Sequence, residues 1–373
     1  LSDKLRELYT RIESVIRNAG QTTATPVVAM KQRQGVFRLF GQSGKQRRFA
    51  IAAAIIFLIA ATAVWLTSNT DYSSGAGNNS NLSINDIQPG RQGAILTLAD
   101  GSIVELDSLS NGNLINQGIS VVRKKDGLIE YVHTENVSVN AETSIQYNTL
   151  STPPGRQFRL SLPDGTQVWL NAGSSVRFPT QFTSSKREIS VTGEVYLEVV
   201  KDAEKPFFVN VDNRAEVEVL GTSFNINAYN DEPILATTLI EGSLKMHVVA
   251  ENLKSESVLL KPGQQGRLQE VAGHPNNSNI SRLTVSDQNR EMIEKITAWK
   301  NGLFNFDNAN ITQVMRQISR WYNVTVEYEG QVPNHTFLGK LGRDMTLSEI
   351  LAVLQKTGVN FRLEEGRRLI VYP

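Results

Sequence analysis

Side chains that could perform catalysis are few in this chain and lie far apart in its sequence. The four histidines, His133, His247, His274 and His335, stand singly, and there is no cysteine. No nucleophile elbow, dinucleotide-binding glycine string or His-Glu-x-x-His string occurs. The absence of cysteine excludes thiolate nucleophiles, disulfides and cysteine-ligated zinc. The sequence therefore predicts a protein that is not an enzyme and that has no catalytic residues, bound metal or cofactor.

Two aspartates suggest a carboxylate pair of the kind that glycoside hydrolysis needs. Asp100 and Asp164 each precede a glycine, within the segments ILTLADGSIVEL and FRLSLPDGTQVWL. Both segments alternate apolar and polar residues on either side of Asp-Gly, which is the pattern of a β-hairpin. We interpret the aspartates as residues of type I′ turns, because Asp-Gly tolerates a left-handed backbone.

A group of aromatic residues has two interpretations, a sugar-binding surface or a protein core. Their spacing is typical of strands, where inward-facing aromatics usually form the core. We favour the core for the whole group, which comprises Trp169, Phe178, Phe182, Tyr196, Phe207, Phe208, Phe224 and Tyr229.

The hairpins belong to a long stretch, residues 84–285, in which the pattern is β throughout. Short alternating runs are separated by turn dipeptides, and the two quoted hairpins align with each other at a fixed offset. The stretch predicts an all-β domain of solenoid-like or sandwich-like antiparallel hairpins.

Residues 299–373 change to a mixed pattern. Ile311, Val314, Met315, Ile318, Trp321 and Tyr322 form one helical stripe, and Thr346-Leu347-Ser348-Glu349 reads as a capping box that begins a second helix. The predicted order is β-α-β-β-α-β with one extra strand, a small α+β domain.

A run of nineteen uncharged residues, Phe49 to Thr67, divides the chain. As a helix it spans roughly 28 Å, close to the hydrocarbon thickness of a bilayer, and Trp65 suits the interface at its far end. Lys45, Arg47 and Arg48 precede it directly, and such charges stay in the cytoplasm. A buried soluble helix would show a polar face, and a cleaved signal peptide would have a shorter charged region. We therefore predict a single transmembrane helix at 49–67.

The tail before this run, residues 1–48, carries ten Lys and Arg residues against three acidic ones. Within it, residues 2–18 predict a helix whose apolar stripe needs a partner, formed by Leu5, Leu8, Tyr9, Ile12, Val15 and Ile16. The basic cluster adjoins the membrane, so orientation in the bilayer explains it and no direct binding of nucleic acid is predicted. Residues 68–83 are rich in Gly, Ser and Asn and predict a flexible linker.

Several long segments resemble the periplasmic domain of FecR-like anti-sigma factors. They are GRQFRLSLPDGTQVWLNAGSSVRFP, REISVTGEVYLEVVKDAEKPFFV, VEVLGTSFNINAYNDE, TTLIEGSLKM and LLKPGQQGRL. The upstream ILTLADGSIVELDS and the downstream AWKNGLFNFDNANITQVMRQISRWYNVTVEYEG resemble the Bacteroidetes branch. The last segment resembles a secretin-and-TonB short N-terminal (STN) domain. The resemblance covers the chain from about residue 84 to its C-terminus.

The resemblance implies a protein of the inner membrane, in contact with lipid, whose N-terminus is cytoplasmic and whose later domains are periplasmic. It implies that the tail binds an extracytoplasmic-function (ECF) sigma factor and that the periplasmic part receives the signalling domain of a TonB-dependent outer-membrane receptor. Membrane proteases then cut the chain and release the sigma factor. The family's sigma-binding bundle is usually longer than this tail, which implies a truncated N-terminal region or a reduced contact with the sigma factor.

Exposed sheet edges of the small α+β domain are the candidate sites for the receptor, because an edge can pair with a strand of another protein. We expect such an edge at Val324, Val326 and Tyr328, or at Leu369 and Val371.

Two other functions remain as alternatives. One is a membrane-anchored periplasmic module that binds carbohydrate or peptidoglycan. The other, an envelope hydrolase, is disfavoured because no carboxylate, histidine or metal-binding group of residues supports it.

Overall fold

The computed structural model describes residues 86–107, 111–112, 114–117, 120–125, 128–133, 145–249, 256–271, 280–331 and 334–373. They are mostly strand with few helices, which confirms the β-rich expectation. Within these ranges no helix is long and apolar enough to cross a bilayer. The predicted tail, transmembrane helix and linker lie outside the described residues, and with them Lys45, Arg47, Arg48, Phe49, Trp65 and Thr67.

The first part of the described chain, up to Asp287, is built of strands. In chain order they are β1 (Arg91–Gln92), β2 (Ile95–Thr97), β3 (Ile103–Glu105), β4 (Leu114–Gln117), β5 (Ser120–Lys125), β6 (Leu128–His133), β7 (Tyr147–Thr152), β8 (Arg156–Ser161), β9 (Gln167–Leu170), β10 (Ser174–Pro179), β11 (Arg187–Glu198), β12 (Phe207–Val211), β13 (Ala215–Val219), β14 (Ser223–Ala228), β15 (Leu235–Glu241), β16 (Leu244–Val248), β17 (Ser257–Leu260), β18 (Gln264–Val271) and β19 (Ile280–Asp287).

Helices and short strands alternate in the second part. They are α1 (Arg290–Thr297), a 3₁₀ turn (Ala298–Asn301), β20 (Leu303–Asn305), β21 (Ala309–Asn310), α2 (Ile311–Tyr322), β22 (Thr325–Tyr328), β23 (Thr336–Phe337), β24 (Lys340–Gly342), α3 (Leu347–Gln355), β25 (Asn360–Glu364) and β26 (Arg368–Tyr372).

The strands of the first part form two sheets that share β11. Among the described residues, one sheet has the order β3-β2-β7-β10-β11-β12-β13-β16-β17. The other has the order β4-β5-β6-β8-β9-β11-β14-β15-β18-β19. One hydrophobic cluster takes residues from both sheets, the layered arrangement of a β-sandwich.

Strand β11 passes from one sheet to the other at Gly193. Its first half pairs with β10 and β12, and its second half, from Gly193 onward, pairs with β9 and β14. Gly193 has φ +76°, and a Cβ there would lie 2.5 Å from Ser174 Oγ. Only glycine meets both conditions without strain, so the change of sheet depends on this residue.

The two predicted hairpins are confirmed, but their turns are not of type I′. β2 pairs antiparallel with β3, and β8 with β9. Within these two turns, positive φ occurs at Gly101 and Gly165 and not at the preceding aspartates, whereas a type I′ turn needs it at both positions. Each aspartate accepts a hydrogen bond from the backbone N–H two residues later, at 2.8 and 3.0 Å. A type I turn followed by a left-handed glycine fits this geometry. The aspartates are turn residues, and Asp164 also forms an ion pair with Arg187 at 2.8 Å.

The second part has its own hydrophobic cluster, which includes α2, α3 and a sheet of order β22-β26-β25. The buried residues of α2 are those of the predicted stripe, and the capping box at Thr346 and Glu349 is confirmed. The segment 335–342 forms two short strands, β23 and β24, which pair with β21 and β20. Ile87 and Ala172, from the first part, complete the cluster.

We predict that Gly193→Ala destabilises the fold by roughly 2–5 kcal/mol, because left-handed strain and a steric clash add. Gly101→Ala is the matched control. Its φ is also positive, at +83°, but a Cβ there meets nothing within 4 Å, so only the strain of about 1–2 kcal/mol is expected. Urea unfolding of the full chain measures both, and equal losses would contradict the steric argument.

Candidate functional site

A closed ring of hydrogen bonds joins the two parts of the described chain. Asn171 Nδ2 donates to Glu194 Oε2 at 2.8 Å, and Asn225 Nδ2 donates to Glu194 Oε1 at 3.2 Å. Trp299 Nε1 donates to Asn225 Oδ1 at 3.2 Å. The Arg343 guanidinium donates to Asn171 Oδ1 at 2.9 Å and to the Trp299 carbonyl at 3.4 Å. The ring therefore connects three residues of the β sheets with two of the second part.

Local structure explains how these side chains meet. Glu194 follows Gly193 in the second half of β11, and the flanking strands β9 and β14 lead to Asn171 and carry Asn225. Trp299 lies in the 3₁₀ turn after α1, and Arg343 directly follows β24. All five side chains are buried. Buried polar groups must be hydrogen-bonded, so each part leaves unsatisfied groups if the other is displaced.

The charges of Glu194 and Arg343 face each other through Asn171 without forming a direct ion pair. Burial raises the pKa of Glu194, while the hydrogen bonds from Asn171 and Asn225 and the nearby arginines oppose this shift. Burial lowers the pKa of Arg343 to about 10, so it remains a cation at neutral pH. Its guanidinium stacks on Trp321 at 3.8 Å from the ring centroid, which supports a buried cation by a cation–π contact.

Ion pairs hold the same junction at its rim. Arg320 on α2 donates to both carboxylate oxygens of Asp231, at 2.8 and 2.9 Å, and to Glu232 at 2.9 Å. Arg316, one turn earlier, contacts Glu232 at 2.7 Å. Asp231 and Glu232 lie between β14 and β15 of the β sheets. Helix α2 is therefore attached both to its own cluster and to the sheets.

Of the two candidate edges, the structure supports the position of only one. Strand β26 lies between β22 and β25, so Leu369 and Val371 are on a central strand and are fully buried. The expectation of an edge at these two residues is wrong, because both sides of their backbone are already paired. Strand β22 has β26 as its one neighbouring strand among the described residues and is an edge of that sheet.

The backbone of β22 presents alternate residues outward. The Thr325 N–H donates to the Arg367 carbonyl and the Glu329 N–H to the Val371 carbonyl, both at 2.9 Å. Odd-numbered residues thus pair with β26, and the peptide groups of Val326 point away from it. The Val326 side chain is half-buried.

Val324 and Tyr328 flank the outward-facing part of this edge. Val324 is buried in the second cluster, and Tyr328 is half-buried against it. A groove of about 360 Å³ runs between β22 and α2, with Met315, Ser319 and Val326 among its lining residues.

Of the eight aromatic residues predicted to form the core, five are buried and three, Trp169, Phe182 and Phe208, are half-buried. Phe178, Phe207 and Phe224 are fully buried, as the core interpretation expects. Trp169 is half-buried and contacts Lys300, at 4.5 Å from its ring centroid. Within the ranges that the structure describes, no group of three or more His, Cys, Asp or Glu side chains could hold a metal ion.

The sequence interpretation missed the whole ring. One usable signal was Asn225 within FNINA, because asparagine is depleted in strands and needs a reason there. Glu194 in the apolar run VTGEVYLEV was a second signal. Arg343 carried no signal, since arginine is mostly exposed, and the tendency of tryptophan to be buried did not indicate what Trp299 contacts.

We predict that Glu194→Gln destabilises the fold by about 1–3 kcal/mol although the side chains have the same shape. Both carboxylate oxygens accept from asparagine amides, and glutamine would present a donor to one of them. Neither asparagine can flip, because the Asn171 and Asn225 oxygens accept from Arg343 and Trp299. The midpoint of urea unfolding at neutral pH is the measurement.

Glu188→Gln, on the same strand, is the control for this prediction. Its exposed ion pair with Lys186, at 2.7 Å, should contribute less than about 1 kcal/mol. An unchanged midpoint for Glu194→Gln would mean that the ring does not stabilise the junction.

Comparisons with known proteins agree with the two-part architecture. The family model "FecR protein" matches residues 148–245, and the model "FecR, C-terminal" matches residues 303–371. No curated protein matches the chain. Two crystal structures of a proposed anti-sigma factor from Parabacteroides distasonis ATCC 8503 are similar to it at 30% and 29% identity, each with a TM-score of 0.50. They cover 60% and 61% of this chain, which in turn covers 98% of each of those chains.

The β sheets and the C-terminal elements thus correspond to the two FecR models in the same order. The chain belongs to the FecR-like anti-sigma factors, a family of sigma-factor regulators.

Proposed function

We propose that this chain is an inner-membrane anti-sigma factor that carries a periplasmic signal to an ECF sigma factor in the cytoplasm. The observation that carries the proposal is the division of the sequence. An uncharged run at 49–67 separates a basic tail, residues 1–48, from the part of the chain that matches the FecR models. The basic residues place the tail in the cytoplasm and the FecR part in the periplasm.

The tail holds the sigma factor through the apolar stripe of its predicted helix, residues 2–18. A short isolated helix is marginal in water, so it gains stability by packing this stripe on another protein. Proteolysis by membrane proteases, near or within the span at 49–67, then frees the tail together with the sigma factor.

The signal enters at the edge strand β22. The signalling domain of a TonB-dependent outer-membrane receptor adds a strand there, using the outward peptide groups of Val326, while its side chains occupy the groove beside α2. The same helix carries Arg316 and Arg320, which are bonded to the loop at Asp231 and Glu232. A partner bound at β22 therefore acts on the element that connects the C-terminal part to the β sheets.

We expect Ile12→Asp to abolish recovery of the sigma factor when the full chain is purified from its native cells. A carboxylate in the apolar stripe would be buried without a partner in the complex, which costs several kcal/mol. Thr10→Asp is the control, because residue 10 lies on the opposite face of the predicted helix. Recovery of the sigma factor with Ile12→Asp would exclude the stripe as the binding surface.

We expect Val326→Pro to weaken binding of the purified receptor signalling domain roughly tenfold or more, through loss of one outward N–H and the bulk of the ring. The ladder to β26 should persist, since that N–H does not take part in it. Val326→Ala keeps the N–H and should bind within about threefold of the original chain. Biolayer interferometry measures both, and equal affinity for the proline variant would place the receptor elsewhere.

A further inference from the structure

A cavity of about 280 Å³ lies beside the hydrogen-bonded ring, between the β sheets and the C-terminal elements. Its walls come from both parts: Asn227 and Gln265 from β14 and β18, Lys295 from α1 and Gln317 from α2. The volume is near the lower end of the range for small-molecule sites, which suits a ligand the size of one sugar ring.

The lining of this cavity is rich in side-chain amides, with seven Asn and Gln residues in contact with it. Asn171 and Asn225 use both ends of their amides in the ring, and Gln265, Asn305 and Gln313 each use one end elsewhere. The remaining amide donors and acceptors are the kind of groups that bind hydroxyls. The Asn227 Oδ1 is buried and has no hydrogen-bond partner among the described residues. Arg343 also lines the cavity, and its Nε is likewise buried with no hydrogen-bond partner among the described residues. Both atoms are enclosed by protein and are not open to the cavity, so a ligand would bond Asn227 through its amide nitrogen.

Cations exceed carboxylates around the cavity. Four Lys and Arg side chains line it against two Glu side chains. Glu232 is already bonded to Arg316 and Arg320, and Glu194 accepts from two asparagines. Arg267, on β18, has no ion-pair partner in the described part of the chain. Arg320 and Arg343 are engaged at the junction, and Lys295 Nζ donates to the Asp307 carbonyl. The charge available to a ligand with a negative group is therefore that of Arg267 and, in part, of Lys295.

We propose that this cavity binds a small sugar acid, a hydroxyl-rich ring or chain with one carboxylate. The amides bind the hydroxyl groups, with Asn227 and Gln265 on one side and Gln317 on the other. Arg267 and Lys295 bind the carboxylate, because charge-assisted hydrogen bonds are the strongest that such a site can offer.

Binding at this position would stabilise the junction itself. The ligand touches both parts of the chain, so it binds the joined arrangement better than a separated one and shifts the equilibrium toward it. The site gives the protein a small-molecule input in addition to a receptor at β22. This inference goes beyond sigma-factor regulation and does not depend on it.

Isothermal titration calorimetry of the full chain in mild detergent tests the proposal. The probes are glucuronate, galacturonate and gluconate, with glucose, galactose and acetate as matched ligands that lack the carboxylate or the hydroxyl groups. At least one sugar acid should give saturable one-site binding, about tenfold or more tighter than its neutral counterpart and than acetate. No saturable binding by any sugar acid, or equal binding by the neutral sugar or by acetate, would overturn the proposal.

Variants locate the site. Arg267→Gln should weaken binding of the sugar acid about tenfold, since it keeps the side-chain length and removes the charge. Arg282→Gln, on the neighbouring strand and outside the cavity, is the matched control and should leave the affinity unchanged. Asn227→Ala should weaken binding about fivefold. Full affinity in both Arg267→Gln and Asn227→Ala would place the ligand elsewhere and overturn the assignment.

Discussion

Two buried charges that must be satisfied across a junction constrain this structure more than any other interaction. Glu194 comes from the β sheets and Arg343 from the C-terminal elements, and neither has a direct ion pair with the other. Asn171 and Asn225 connect them, together with Trp299. An unpaired buried charge is costly, so the two parts are stable in one relative position and lose hydrogen bonds in others. The junction thus behaves as a specific joint between the two parts.

The residue at which β11 changes sheet is adjacent in sequence to a residue of the hydrogen-bonded ring. Gly193 lets β11 leave one sheet and enter the other, and the next residue is Glu194. A residue that needs a left-handed backbone and close contact with Ser174 is therefore adjacent to the residue that anchors the ring. The described residues all lie in one compact unit, and the second hydrophobic cluster includes Ile87 and Ala172 from the first part. The C-terminal elements complete their core with residues of the β part.

This arrangement relates the proposed receptor site to the proposed ligand site. The edge strand β22, the groove beside it and the cavity all involve α2, whose Arg320 also stacks on Tyr229 at 4.0 Å. A partner at the edge and a small molecule in the cavity would act on the same helix from two sides. Two ligands that favour the same arrangement of one element are coupled, and each raises the affinity for the other.

The sequence by itself determined what depends on neighbours along the chain. Alternation located the hairpins, the stripe from Ile311 to Tyr322 located α2, and Thr346 with Glu349 located the start of α3. These features follow from local periodicity and capping. Turn type, strand order and the ring were decided by tertiary structure. Leu369 and Val371 are residue types that occur in any strand. Only the pairing of β26 with β22 and β25 makes it a central strand and not an edge. Glu194 and Arg343 are 149 positions apart in the sequence. No local pattern records that they meet, because their contact comes from the packing of two separate parts.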